Sequence, residues 1–196
     1  MLRRQFTIFL NALSASFLFF ADTSPAFASM HRDGPSTYIT NRLSGLPADI
    51  SIPASCYIPD NPACVNGTPV LLGQRNSNTK FYFRYKEGGW SEIVWFADYC
   101  LDVSGFGTNN GARVILWQCH GGPNQLFRPQ AFQIDWFGGN DPNTRLLEGR
   151  QSGKCLDAAN PSAPAPPRVG APLQMWDCIG DTDAWNRINQ DWAFES

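Results

Sequence analysis

Two stretches of this 196-residue chain carry the same chemistry-bearing side chains in the same order. In the first, Asp102 is followed by Trp117, Asn124 and Gln125. In the second, Asp157 is followed by Gln174, Trp176, Asn189 and Gln190. A carboxylate accepts hydrogen bonds from hydroxyls, a primary amide both donates and accepts, and an indole offers a flat apolar face. The six cysteines, Cys56, Cys64, Cys100, Cys119, Cys155 and Cys178, offer disulfide or metal chemistry. An even count in an exported chain points to disulfides. A zinc site would need clustered cysteines or histidine partners, but the spacings are wide and only His31 and His120 are present, so no metal is expected. Nucleophile-and-base catalysis needs a usable histidine; His31 follows a leader-like segment and His120 lies in a Gly-rich turn beside Cys119. Glycosidase chemistry needs two carboxylates facing one cleft, and the sequence shows no such pairing. No phosphate-cradling glycine loop is present, so no cofactor is expected. Asn66-Gly67-Thr68 is a glycosylation sequon, with meaning only in a eukaryotic source.

The elements that must position these residues are short. Charged residues make up 16% of the chain, below the ~25% usual in soluble domains. Glycine (17) and proline (15) are frequent, so turns are dense. This composition disfavours coiled coils, long-helix proteins and charge-rich disordered chains. The formal net charge of -2 gives no basic footprint for nucleic acid. Residues 1–28 read as a secretory signal peptide: Arg3 and Arg4, then a mostly apolar run from Phe6 to Ala21, then Ala26-Phe27-Ala28 as a cleavage site, with cleavage expected after Ala28. That run of about 16 residues is short of the ~20 needed to span a bilayer. Arg3-Arg4-Gln5-Phe6 leaves the export route open between the general secretory and twin-arginine pathways. No membrane span is expected, and the protein is expected to be secreted or periplasmic. Residues 29–45 are polar, without periodicity, and read as a flexible arm or linker.

The rest of the chain repeats itself. Cys100-Leu101-Asp102 matches Cys155-Leu156-Asp157, and Leu116-Trp117-Gln118-Cys119 matches Met175-Trp176-Asp177-Cys178. Asn124-Gln125-Leu126-Phe127 then matches Asn189-Gln190-Asp191-Trp192, with insertions at the Pro-rich 160–167 stretch and at 179–188. A third, degenerate copy lies upstream. Cys56 stands before Asn66-Gly67 as Cys100 stands before Asn110-Gly111, and Val70-Leu71-Leu72 matches Val114-Ile115-Leu116. Short apolar segments precede each leading cysteine: Ile50 to Ile52, Ile93 to Phe96, and Leu146-Leu147. The β-branched, aliphatic and aromatic runs between turn residues read as strands, among them 81–85, 114–117 and 131–136. The last copy lacks a following strand, which the segment before Cys56 could supply. Three units of about four strands would close into a pseudo-threefold barrel without open sheet edges.

This ordered set resembles the ricin B-type lectins, over about residues 46–196, with two copies matching well and one poorly. The resemblance implies an all-β, disulfide-stapled β-trefoil with lobes of about 46–90, 91–144 and 145–196. It implies the pairs Cys100–Cys119 and Cys155–Cys178, leaving Cys56 and Cys64 for each other because Arg75 takes the place of a second lobe cysteine. It implies non-catalytic binding of glycans, galactose-type or related, by the second and third lobes. Asp102 and Asp157 would accept from sugar hydroxyls, Trp117 and Trp176 would stack on the C–H face, and Asn124, Asn189 and Gln174 would add hydrogen bonds. Gln125 and Gln190 would brace the acid or the turn. The bland alternative is that the acids cap turns and the indoles are buried. Phe127 and Trp192 are expected in the core, and Trp90, Trp95 and Trp136 in packing. Ile115 takes the place of Gln174 in the second lobe. Ile58, Gly73 and Thr79 replace the acid, the Trp and the Gln in the first, which is expected to be silent. The alternative is a delivery subunit, similar to those of cytolethal distending toxin, whose trefoil and arm dock a catalytic toxin partner.

Overall fold

The computed structural model describes residues 36–50, 62–76, 79–96, 98–131, 144–161, 165–179 and 187–196. The leader at 1–28, Cys56, Ile58 and Trp136 lie outside the described residues. The described residues hold twelve strands: β1 (Thr37–Asn41), β2 (Ala48–Ile50), β3 (Val70–Leu72), β4 (Lys80–Tyr85), β5 (Ser91–Trp95), β6 (Tyr99–Val103), β7 (Ala112–Gln118), β8 (Leu126–Ala131), β9 (Thr144–Gly149), β10 (Cys155–Ala158), β11 (Leu173–Trp176) and β12 (Trp192–Glu195). A short helical turn, α1 (Pro62–Val65), precedes β3.

Six of the strands close a ring. β1 pairs with β4, β4 with β5, β5 with β8, β8 with β9, β9 with β12, and β12 returns to β1, all antiparallel. The other six form three hairpins, β2–β3, β6–β7 and β10–β11. The hairpins join one another through Arg113↔Gln174, Pro69↔Ile115 and Leu71↔Pro172. The architecture is a β-trefoil, all-β with three pseudo-equivalent lobes.

Period-2 alternation explains which side chains are buried. On each hairpin one face enters the core: Ala48, Ile50, Val70 and Leu72; Leu101, Val103, Val114 and Leu116; Leu156, Ala158, Leu173 and Met175. The ring adds Ile39, Ile93 and Leu147 from the first strand of each lobe, and Phe81, Phe127 and Trp192 from the last, all fully buried. Phe127 and Trp192 are therefore core residues. Trp95 is buried too, and Trp90 is half-buried against the Arg128 guanidinium, 4.5 Å from its ring.

The turns of the hairpins lock the lobes together. Gly67 N–H donates to Leu116 O (2.8 Å), Gly111 N–H to Met175 O (2.9 Å) and Gly170 N–H to Leu72 O (2.7 Å). All three glycines sit at φ of 85–87°, a left-handed conformation that a side chain would strain. Asn66 Oδ1 accepts from Gln118 N–H (2.8 Å), so the amide of the Asn66-Gly67-Thr68 sequon is part of this lock.

Two expectations change. The flexible arm expected at 29–45 is not one over its described part, because Thr37–Asn41 is a barrel strand paired with both β12 and β4. The first lobe thus starts at β1 rather than near residue 46. Its hairpin register also differs from the Cys56-anchored alignment. Asp49 faces Leu71 as Asp102 faces Ile115 and Asp157 faces Gln174. Asp49, not Ile58, is the counterpart of the two acids, and Pro47 stands where Cys100 and Cys155 stand. The disulfides Cys100–Cys119 and Cys155–Cys178 are formed as expected. Cys64 is disulfide-bonded, and its expected partner Cys56 lies outside the described residues.

Trp192 Nε1–H also donates to Leu156 O (2.9 Å), joining the last ring strand to the third hairpin. Phe occupies the equivalent position in the other lobes, so Trp192→Phe keeps the ring and loses this bond. Its expected cost is about 1–3 kcal/mol, against about 3–5 kcal/mol for Trp192→Ala, read from denaturant unfolding midpoints. A cost near zero for Trp192→Phe would show that the indole N–H contributes nothing.

Candidate functional site

The outward face of the β6–β7 hairpin carries Asp102, Ile115 and Trp117, since the inward face is taken by Leu101, Val103, Val114 and Leu116. Asp102 is 4% exposed, whereas Trp117 is 42% exposed. The indole is therefore a surface platform, beside a carboxylate that is almost wholly enclosed. Asp102 Oδ2 accepts from Asn124 Nδ2 (2.8 Å) and Gln125 Nε2 (2.9 Å). Both amides come from the single 3₁₀ turn at Pro123–Gln125. Gln125 also donates to Gln118 O (3.0 Å) and accepts from His120 N–H (2.7 Å), tying the segment after Trp117 to the acid.

His120 is a member of this site that sequence reasoning set aside. Its Nδ1 accepts from Gly122 N–H (3.1 Å), which leaves the proton on Nε2, 3.4 Å from Asp102 Oδ2. Gly122 is required here because a Cβ would lie 2.7 Å from the imidazole Cε1. Ile115 provides no polar partner, so His120 supplies the third donor direction. Phe106, exposed and at a φ of 55°, has its ring 6.4 Å from that of His120. No feature of the sequence other than adjacency to Cys119 pointed to His120.

The β10–β11 hairpin repeats the plan with fuller polar lining. Asp157 is 2% exposed and Trp176 41% exposed. Asp157 Oδ1 accepts from Gln174 Nε2 (2.9 Å) and Oδ2 from Gln190 Nε2 (3.2 Å). Gln190 donates to Asp177 O (3.0 Å) and accepts from Ile179 N–H (3.0 Å), as Gln125 does with Gln118 and His120. Asn189 adds a side-chain hydrogen bond to Asp157, and its Oδ1 accepts from Asn160 Nδ2 (3.2 Å). The insertion before Asn189 therefore leaves it in the site.

The two acids share one electrostatic character. Burial raises the carboxyl of Asp102, opposed by the hydrogen bond from Gln125 and by His120. Burial raises Asp157 further, to about 6, opposed by its amide donors Gln174, Gln190 and Asn189. Each site is a desolvated acceptor whose hydrogen bonds are strengthened by its surroundings.

The first lobe lacks this assembly. Asp49 is only half-buried and bonds the adjacent Ile50 N–H (2.8 Å). Gly73 stands in place of the indole, and a Cβ there would fall 2.1 Å from Asp49 Oδ2, so the carboxylate lies across the position an indole stem would need. Thr79, in place of the clamp glutamine, donates to Asn76 O (2.7 Å). Among the described residues, no cluster of His, Cys, Asp and Glu could hold a metal, and no helix is long and apolar enough to cross a membrane.

Comparisons with known proteins agree with this geometry. The designed three-fold symmetric protein ThreeFoil matches with a TM-score of 0.61 and 24% identity, over 82% of this chain and 98% of that one. The exo-β-1,3-galactanase 1,3Gal43A of Clostridium thermocellum matches with a TM-score of 0.62 and 20% identity, over 84% of this chain and 31% of that one. The ricin B-like lectin of Macrolepiota procera, solved in complex with lactose, matches with a TM-score of 0.56 and 16% identity, over 84% of this chain and 96% of that one. Identities this low carry the fold alone. A search of curated protein sequences gives no match. The ricin-type β-trefoil lectin domain-like family matches residues 77–176, about half of the chain and the part that contains the whole second lobe and the third-lobe acid and indole. The chain belongs to the ricin-type β-trefoil lectin domain-like family.

Proposed function

We propose that the protein is a non-catalytic lectin that binds glycans, galactose-type or related, through its second and third lobes. The observation that carries this reading is the twice-repeated pairing of an amide-held, enclosed carboxylate with an exposed indole. A pyranose has hydroxyls on its rim and an apolar C–H face. Trp117 or Trp176 takes the face, and the remaining lone pairs of Asp102 or Asp157 take hydroxyl protons. Asn124 and, in the third lobe, Gln174 and Asn189 complete the hydrogen bonding. A single such site is weak, about -4 kcal/mol at millimolar affinity. Two sites on one rigid body reach useful avidity on a glycan-covered surface through effective concentration. The two lobe disulfides fit a secreted or periplasmic protein, exported by the 1–28 leader. The delivery-subunit reading loses the support an arm would give it, because the described part of 29–45 is used to close the barrel.

Asp102→Asn and Asp157→Asn should each weaken their own lobe by roughly tenfold or more, the loss of a charge-assisted acceptor being worth about 1.5–3 kcal/mol. The double variant should lose glycan-array binding while its thermal transition stays cooperative. Full binding by the double variant would remove both sites from consideration.

The third lobe should also depend on pH. Because the Asp157 carboxyl titrates near 6, it is ionised and accepts hydrogen bonds above that pH and becomes neutral below it. In Asp102→Asn protein, which relies on the third lobe, calorimetric affinity should fall as pH drops from 7.5 through about 6. A flat profile between those pH values would contradict an ionised Asp157 as the acceptor.

A further inference from the structure

Each hairpin contributes its acid and facing residue to a row that continues onto a strand or strand-flanking residue of a neighbouring lobe. In the second lobe the row is Asp102, Ile115, Pro69. In the first it is Asp49, Leu71, Pro172. In the third it is Asp157, Gln174, Arg113, because β7 lies beside β11 with Arg113 opposite Gln174. The pseudo-threefold thus puts proline at this third position twice and a cation once. The cation belongs to the second lobe in sequence and to the third-lobe site in space.

Arg113 is exposed, and its side chain makes no hydrogen bond or ion pair among the described residues. The nearby acidic groups are already engaged. Asp157 is enclosed by its amides. Asp177, next to Trp176, is held by Lys154 and by Asn110 Nδ2 (2.8 Å), and those contacts lower its carboxyl pKa. Directly opposed residues on adjacent strands have Cβ atoms about 5 Å apart, so two steps along the row put Arg113 about 10 Å from Asp157. That spacing is between Cβ atoms, with Gln174 in the middle of the row, so the exposed guanidinium stands at the outer end of the row, where it can meet a group projecting from a sugar held at Asp157. A guanidinium at that distance presents a planar donor fork suited to a carboxylate or sulfate.

We propose that Arg113 makes the third-lobe site selective for glycans that carry an acidic group, a carboxylate or a sulfate, on the sugar in or next to the Asp157 position. This rests on the lectin reading of that lobe. The second lobe, with Pro69 in the same place, has no such preference built into its row. The two sites therefore differ in the charge of what they accept: neutral at Asp102, acidic at Asp157.

The test uses full-length Asp102→Asn protein, so that the third lobe alone reports. An array carries neutral oligosaccharides beside their sialylated and sulfated derivatives. Acidic derivatives should bind better than their neutral parents, and added salt should reduce the preference. Arg113→Gln should lower the acidic-to-neutral ratio about fivefold or more, the scale of a partly desolvated ion pair. Arg113→Lys should retain part of it, and the sialylated and sulfated arms separate the two acidic chemistries. An unchanged ratio in Arg113→Gln, or acidic derivatives that bind no better than neutral ones, overturns the role of Arg113. In that case Asp157→Asn, introduced into the same protein, shows whether the lobe reading survives: if it abolishes binding, only the charge preference fails. If Asp157→Asn leaves binding intact, or no glycan binds at all, the lectin reading of the lobe falls and the Arg113 proposal with it.

Discussion

A primary amide that reaches in two directions at once organises each intact lobe. Gln125 and Gln190 each give one Nε2 to a buried carboxylate and to a backbone carbonyl just past the indole. Their Oε1 atoms accept a backbone N–H from the residue two positions past that carbonyl, His120 or Ile179. Without this clamp the buried acid would keep its other donors, Asn124 and His120 or Gln174 and Asn189, but lose the one that ties it to the backbone past the indole. With it, the acid, the disulfide-bounded turn and the indole are fixed relative to one another. The first lobe shows the consequence of losing it. Thr79 turns to Asn76, Asp49 turns to its own neighbour, and the indole position becomes Gly73.

Much of this was legible in the sequence. The two complete copies align acid with acid and indole with indole, because the cysteine pair fixes where each hairpin begins and ends. Alternation then determined which of Leu101, Asp102 and Val103 face inward. Three features were not legible. Cys56 imitates a leading lobe cysteine but belongs to a long insertion between Asp49 and Leu71, so the first-lobe acid was sought at Ile58. Pro47, which holds the actual position, has no sulfur to mark it. Strand β1 has one fully apolar core residue, Ile39, among polar neighbours, and its strand character comes from partners far away in the chain. His120 has no pattern at all; its place in the site follows from a turn conformation that Gly122 permits.

The lobes are not independent sites that happen to share a core. Asn66 braces the residue after Trp117, and Asn110 braces the residue after Trp176. Gly111 N–H donates to Met175 O (2.9 Å) across the same boundary. Each indole is therefore steadied by the turn of the preceding lobe. This explains how a first lobe with no complete site of its own still contributes to the second.

The seam between β1 and β12 sets the order in which the molecule can be completed. Thr37 Oγ1 donates to Glu195 O across 158 residues of chain. During synthesis, the opening strand must wait with its edge unpaired until the final strand has left the ribosome. Until then Ile39 and Trp192 cannot be covered together, and the nascent chain exposes both a sticky strand edge and apolar surface. Non-local pairing of this kind slows folding. The same seam that closes the ring thus leaves the unfinished chain with an unpaired strand edge to protect.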